Sequence, residues 1–249
     1  MNIDETLLKK RIEELSERSY ANGIYTSTEF LSPAEQSILK TSVHNCPYTL
    51  TGGYDTAEKR IAVFGSEELC GYEIIPPISF IKIEPISEKF SDTLSHRDFL
   101  GSIMSLGIRR STFGDIIVSK NTGYAVCLEN VADYVCENLV SIKHTSVRCT
   151  KIDEIPIDAI PTPIENAFVV SSERLDSIVS SIYKISRSES KNLIEHEKVL
   201  LGGAVVTNAD IHPNENDIIT VKGFGKFIYC GIEKETKKGR LRCIAKIYK

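Results

Sequence analysis

The sequence predicts a multidomain α+β fold with an N-terminal α/β region, a central alternating unit, and a C-terminal region of helices followed by strands. Three observations carry this. The hydrophobic period switches repeatedly between about 3.6 and about 2 residues. The central stretch orders its elements β-α-β-β-α-β. A proline-bearing run, Ile155 to Pro163, with Pro156, Pro161 and Pro163, then stiffens the chain and disfavours helix. The 249 residues allow two or three compact units, since a domain typically spans ~100–150 residues. With 41% hydrophobic residues there is enough apolar surface to offset chain entropy, which excludes disorder as the dominant state.

The first region, residues 1–75, opens with a helix pattern. Leu8, Ile12 and Leu15 fall on one face, with charges elsewhere. Ser32-Pro33 followed by Ala34 to Leu39 reads as a second, capped helix with Pro33 at its first position. Gly52-Gly53 precedes a short apolar strand, Lys59 to Phe64. Ile75-Pro76-Pro77 marks a boundary. Residues 76–165 follow with a strand at Ile78 to Ile86, interrupted by Pro85, and a helix at His96 to Ile108 carrying Phe99, Ile103 and Leu106. Strands at Asp115 to Val118 and Tyr124 to Leu128 meet in a turn at Asn121–Gly123. Asn130 is positioned to cap a helix carrying Val131, Tyr134, Val135 and Leu139, and Thr145 to Ile152 closes the unit as a strand. This order is that of a ferredoxin-like split unit, shared with RNA-recognition-motif folds, but order alone carries no function.

The third region, residues 170–249, begins with a helical stripe of Leu175, Ile178, Val179 and Ile182. Ser186-Arg187-Ser188-Glu189 reads as a capping box, and the helix it starts runs through Leu193 and Ile194. Strands are expected at Ala204–Val206, Ile218–Val221, Lys226–Ile232 and Leu241–Ile247, the last two joined by a polar turn at Lys234–Gly239.

Bulk chemistry narrows the function classes. No apolar run approaches the ~20 residues that span a bilayer, and the charged start MNIDETLLKKRIEEL lacks the apolar stretch of a signal peptide. A cytoplasmic protein with no membrane partner is expected. The seven cysteines are odd in number, form no C-x-x-C and stand at no metal-ligand spacing, so they are expected to be reduced and mostly buried, with no metal site. The overall charge of −4 hides an asymmetry: residues 171–249 carry fourteen Lys and Arg against ten Asp and Glu, net +4, while residues 1–170 are net −8. A phosphate backbone would be drawn to the C-terminal part and repelled by much of the rest.

The start of the second C-terminal helix is where chemistry concentrates. Free backbone amides and the helix dipole attract phosphate, and Arg187, Ser188 and Lys191 add donors and charge within about a turn. Lys222 and Lys226, around Gly223 and Gly225, offer a second edge where small residues let a phosphate approach. An ordinary capped helix with solvated basic residues has the same pattern.

The run Glu173-Arg174-Leu175-Asp176, then Ile185-Ser186-Arg187-Ser188, Leu193-Ile194, and Asp217 to Gly223 resembles the RNA-binding domain of the small-subunit ribosomal protein S-four, the αL motif. Upstream, His96 to Ser102, Leu106-Gly107-Ile108-Arg109-Arg110, Gly114-Asp115-Ile116 and Thr145-Ser146-Val147 resemble the central domain of the YlmH family of bacterial RNA-binding proteins. Together the matching stretches cover roughly residues 85–249, in two-domain order. The resemblance implies contact with structured RNA, rRNA or tRNA, through Arg174, Ser186, Arg187, Ser188, Lys191, Lys222 and Lys226. It points to the large ribosomal subunit and to quality control of subunits obstructed by peptidyl-tRNA. Where the family usually has a Gly after helix two and then an Asn, this chain has Glu195-His196-Glu197-Lys198-Val199 and then Gly202-Gly203.

Several catalytic motifs are only echoed. His96-Arg97-Asp98 lacks the Asn of a kinase loop five residues on, where Ile103 stands, and there is no Gly-rich loop or D-F-G. A helix start in which Asp98 orients Arg97 is expected instead. Arg174-Leu175-Asp176 is similar to the catalytic motif of pseudouridine synthases but lies inside the αL domain, so Asp176 is expected to fix Arg174. Gly223-x-Gly225 leads into a strand, not the helix a dinucleotide or methyltransferase cofactor loop needs. His44, His144, His196 and His212 are dispersed. The expectation is a noncatalytic RNA-binding factor without cofactor. The alternatives are an RNA-modifying, pseudouridine synthase-like activity in residues 1–165, or a protein-interaction adaptor built on the acidic N-terminal region.

Overall fold

The computed structural model describes residues 3–43 and 45–248, and the chain forms two compact units, Met1–Ile160 and Pro161–Lys249. His44, one of the scattered histidines, lies outside the described residues. The fold is mixed α+β with antiparallel sheets. No described helix is long and apolar enough to cross a membrane.

In the first unit, α1 (Ile3–Asn22) buries Ile12 and Leu15, the face its periodicity marks. After β1 (Thr26–Ser27), α2 (Pro33–Ser42) starts at a complete capping box: the Ser32 amide donates to Glu35 Oε2 at 2.7 Å, and the Glu35 amide to Ser32 Oγ at 3.4 Å. Next come β2 (Tyr48–Thr51), β3 (Ile61–Phe64) and a short α3 (Glu67–Cys70), with strand order β1-β3-β2. The unbroken apolar run of β3 has a physical reason. Ala62 and Phe64 pack with Ile12, Leu15 and Leu39, while Ile61 and Val63 pack with Phe30, Ile117, Val126 and Ile155. A strand covered on both faces has no solvent side on which to alternate.

The same unit continues with β4 (Ile78–Pro85), α4 (His96–Ser105), β5 (Phe113–Ser119), β6 (Thr122–Leu128), α5 (Glu129–Asn138), β7 (Ser141–Ile142) and β8 (Thr145–Ile152). Its sheet order is β5-β6-β4-β8-β7, with every pairing antiparallel. Lys120 and Asn121, at φ 46° and 64°, supply the two left-handed residues of a tight β5–β6 turn. Helices α4 and α5 bring Phe99, Ile103, Ala132 and Val135 onto Ile81, Ile83, Phe113 and Ala125. Gly123 makes that packing possible, because a Cβ there would lie 2.5 Å from the Phe99 ring. Pro85 does not interrupt β4; it is the strand's last residue, opposite Val147.

Two local expectations are corrected. Leu128 is the N-cap of α5, and Asn130 is the second helical residue, because the Glu129 amide is already taken by the Pro77 carbonyl at 3.0 Å. Asp98 does not orient Arg97. Its carboxylate closes a capping box with Ser95 and pairs with Lys143 Nζ at 2.8 Å, and Lys143 first, then Ser95, hold its pKa down at about 2. Among the described residues all seven cysteines are free; Cys46, Cys127 and Cys243 are buried and the others half-buried. The first half of the proline-bearing run belongs to this unit: Ile155 and Ala159 are buried, and Ile157–Ala159 form a 3-10 turn.

The second unit begins with β9 (Ile164–Val170), followed by α6 (Leu175–Tyr183), α7 (Arg187–Glu195), β10 (Val199–Leu201), β11 (Ala204–Val205), β12 (Ile218–Val221), β13 (Gly225–Glu235) and β14 (Leu241–Ile247). The six strands order as β11-β10-β12-β13-β14-β9. Leu175, Ile178, Val179 and Ile182 pack against Phe227, Tyr229, Cys243 and Ala245. Gly202 and Gly203, at φ 56° and 83°, form the β10–β11 turn, which gives the departing Gly-Gly pair a backbone role.

Candidate nucleic-acid interface

The predicted site residues fall into two groups within the second unit. The first gathers around Asp176 in the opening turn of α6. Arg174, the N-cap residue of α6, is extended, and its Nε and Nη2 donate to the two Asp176 oxygens at 3.1 and 3.2 Å. Arg187, the first residue of α7, donates from Nη2 to Asp176 Oδ2 at 2.9 Å, and the Ser177 amide donates to Oδ1 at 2.8 Å. The Asp176 side chain is only 5% exposed, while Arg174 and Arg187 remain 34% and 51% exposed. Burial by itself raises the pKa of Asp176, yet the Arg174 and Arg187 guanidiniums outweigh it and hold the carboxyl below its ordinary value. Asp176 therefore fixes Arg174, as its place in the sequence suggests, and also fixes Arg187. Arg174 makes a further ion pair with Asp210, so its guanidinium bridges two acids.

Ser190, fully buried, donates from Oγ to the Asp176 carbonyl at 2.8 Å and locks α7 onto the start of α6. Ser186 caps α7 by accepting from the Glu189 amide at 3.1 Å. This is the forward half of the expected box; Ser186 Oγ also shares a hydrogen bond with Ser188 Oγ at 2.9 Å. Lys191 stands one turn on, exposed, with Glu195 3.6 Å away. The result is a helix start with cations held on preorganised supports, facing water with their remaining donors.

Lys222 and Lys226 form the second edge, flanking the turn from β12 to β13. The Lys222 amide donates to the Lys198 carbonyl at 2.8 Å and its Nζ to the Glu197 carbonyl at 3.2 Å. Lys226 lies over the Tyr248 ring, 4.3 Å from its centre. The turn rests on the end of α6, where the Phe224 and Tyr183 rings are 5.3 Å apart. The Tyr183 hydroxyl is buried without a hydrogen-bond partner, and burial pushes its pKa up to about 12.

Sequence reasoning missed two participants. Asp210 is 34 residues from its partner's neighbour Asp176, and no local pattern links the two. Phe224 was in plain view between Gly223 and Gly225, and an aromatic residue flanked by two glycines and then two lysines was its available signal.

Comparison with known proteins places both regions. Residues 77–155 match the family described as "Putative RNA-binding domain in YlmH", and residues 173–219 match the S4 domain. The chain is 31% identical over 247 residues to "Ribosome-associated protein quality control protein P2" of Bacillus subtilis (strain 168), covering 96% of this chain and 91% of that protein. A solved structure, "Cell division protein ylmH from Streptococcus pneumoniae", is similar with a TM-score of 0.51 at 16% identity, covering 61% of this chain and 93% of that one. At that identity the likeness concerns the fold alone.

Proposed function

The chain belongs to the YlmH family of RNA-binding proteins with a C-terminal S4 domain, and from that premise we propose that it is a noncatalytic factor for structured rRNA or tRNA on the large ribosomal subunit. It would act in the bacterial cytoplasm on subunits obstructed by peptidyl-tRNA; the name of its Bacillus subtilis relative, a ribosome-associated protein quality control protein, supports the ribosome-associated part of this reading. The observation that carries this reading is the pair of guanidiniums held on buried Asp176 at the start of α7. Fixed cations at a helix N-terminus bind a phosphate backbone without first losing side-chain freedom. Arg174, Ser186, Arg187, Ser188 and Lys191 make up this contact, and Lys222 and Lys226 extend it.

The reading treats residues 76–165 as a ferredoxin-like unit between an N-terminal region, 1–75, and the S-four-type domain at 170–249. The strand order β5-β6-β4-β8 supports it, with the first and third strands of the β-α-β-β-α-β series side by side. A noncatalytic role fits the use of Asp176, since both of its oxygens are occupied by Arg174, Arg187 and the Ser177 amide rather than aimed at a reacting group.

A double variant, Lys191→Glu with Lys222→Glu, tests the reading without touching the Asp176 network. Binding to purified bacterial large ribosomal subunits should fall more than tenfold. The slope of log affinity against log salt should also become shallower by about one to two, since each lost phosphate contact removes ~0.9. Unchanged co-sedimentation and an unchanged salt slope would refute the site.

A further inference from the structure

Phe224 is the exposed aromatic residue of the second unit among the described residues, at 42% exposure. It sits in the turn Lys222-Gly223-Phe224-Gly225-Lys226, closed by its own amide donating to the Val221 carbonyl at 3.0 Å. Gly223 and Gly225 both hold positive φ, 89° and 125°, and a Cβ on Gly223 would meet nothing within 4 Å. The turn is thus open on the Gly223 side, while a Cβ on Gly225 would lie 3.8 Å from the Tyr183 hydroxyl. Behind it the support is rigid: Phe224 rests on Tyr183 at 5.3 Å and 52°, and Tyr183 in turn meets the buried Phe227 at 5.9 Å and 66°. Lysines adjoin the turn along the chain. Lys222 and Lys226 flank it, Lys198 is hydrogen-bonded to the turn through its carbonyl, and Lys184 follows Tyr183 directly in the chain. Glu197 accepts from Lys222 Nζ through its backbone carbonyl at 3.2 Å.

A flat, backed and partly exposed ring in a turn flanked by lysines offers what a nucleotide with an unstacked base requires: a π-face for the base and positive charge for its phosphates. A base inside a duplex cannot offer its face. We propose that Phe224 receives an unpaired nucleobase of the bound RNA, with Lys222 and Lys226 meeting the adjoining phosphates, so that this edge selects a bulged or looped nucleotide rather than continuous duplex. The inference rests on the RNA-binding reading above and specifies which RNA feature the β12–β13 turn selects.

The test uses the full chain and two synthetic RNA hairpins of the same stem, one with a single bulged 2-aminopurine and one fully paired. Stacking on Phe224 should quench the 2-aminopurine. Phe224→Ala should weaken binding of the bulged hairpin about tenfold and remove the quenching, while changing the paired hairpin less than twofold. Phe224→Trp should retain both binding and quenching, which separates loss of stacking from loss of fold. If Phe224→Ala leaves the bulged hairpin unaffected, or weakens both hairpins equally, the stacking inference is overturned. Lys191→Glu, which lies outside the turn, then reports on the wider reading, for it should weaken both hairpins. Failure of the wild-type chain to bind the bulged hairpin would overturn the stacking inference, while binding to purified large subunits decides the wider reading separately.

Discussion

Replacing Asp176 with Asn should lower the stability of the Pro161–Lys249 unit by about 2 kcal/mol at neutral pH, a fall in melting temperature on the order of 10 °C for a unit of this size. A buried ionised carboxylate persists only when paired, and Asp176 is paired twice, to Arg174 and Arg187. Breaking a fully buried pair costs ~3–5 kcal/mol. Here the loss is smaller, because both guanidiniums reach water and can be resolvated, and Asn still accepts from the Ser177 amide. The pH dependence has a definite sign. The folded-state pKa of Asp176 is lowered, so its stabilisation is fully present above the unfolded value of ~3.9 and is lost as pH falls through the lower native value. The wild-type and Asn chains should therefore differ at pH 7 and converge in strong acid. Equal melting at pH 7 would show that Asp176 is not the clamp described.

The second large effect belongs to the first unit. Asp115, near the start of β5, accepts three hydrogen bonds from one segment: Tyr54 Oη at 2.8 Å, the Glu58 amide at 2.7 Å and the Lys59 amide at 3.2 Å. Those bonds hold the chain before β3 against the larger sheet. A net ~1–1.5 kcal/mol is typical of each such bond, with part recovered by water, so Asp115→Ala should cost about 3 kcal/mol. Amide exchange at Glu58 and Lys59 should accelerate more than at residues of β8. Exchange that speeds uniformly across the unit, or not at all, would contradict this tie.

How much of this was legible follows from range. Helices announced themselves through short periods: the α1 stripe of Leu8, Ile12 and Leu15, the α2 cap at Ser32, and the α6 stripe from Leu175 to Ile182 all concern residues within a turn or two. Strand β14 was legible, but its partner β9 was not. Ile164–Val170 buries only Phe168 and Val170, and the strand it pairs with lies more than seventy residues on. The N-cap at Asn130 failed because a tertiary bond from Glu129 to Pro77 begins the helix earlier than any local side chain would. Within the site, the basic start of α7 was readable as a phosphate-binding pattern, and the αL resemblance supplied Arg174. The clamp on Arg187 depends on how α7 crosses the start of α6, and the second partner of Arg174, Asp210, on a loop after β11. Neither leaves a periodic trace.

Cross-linking the intact chain to RNA in living cells by ultraviolet light tests the central claim most directly. The account predicts that the recovered RNA is rRNA or tRNA, and that the cross-linked peptides span Ser186 to Lys191 or Lys222 to Lys226. Recovery of neither RNA above background, or cross-links confined to residues 1–160, would contradict it.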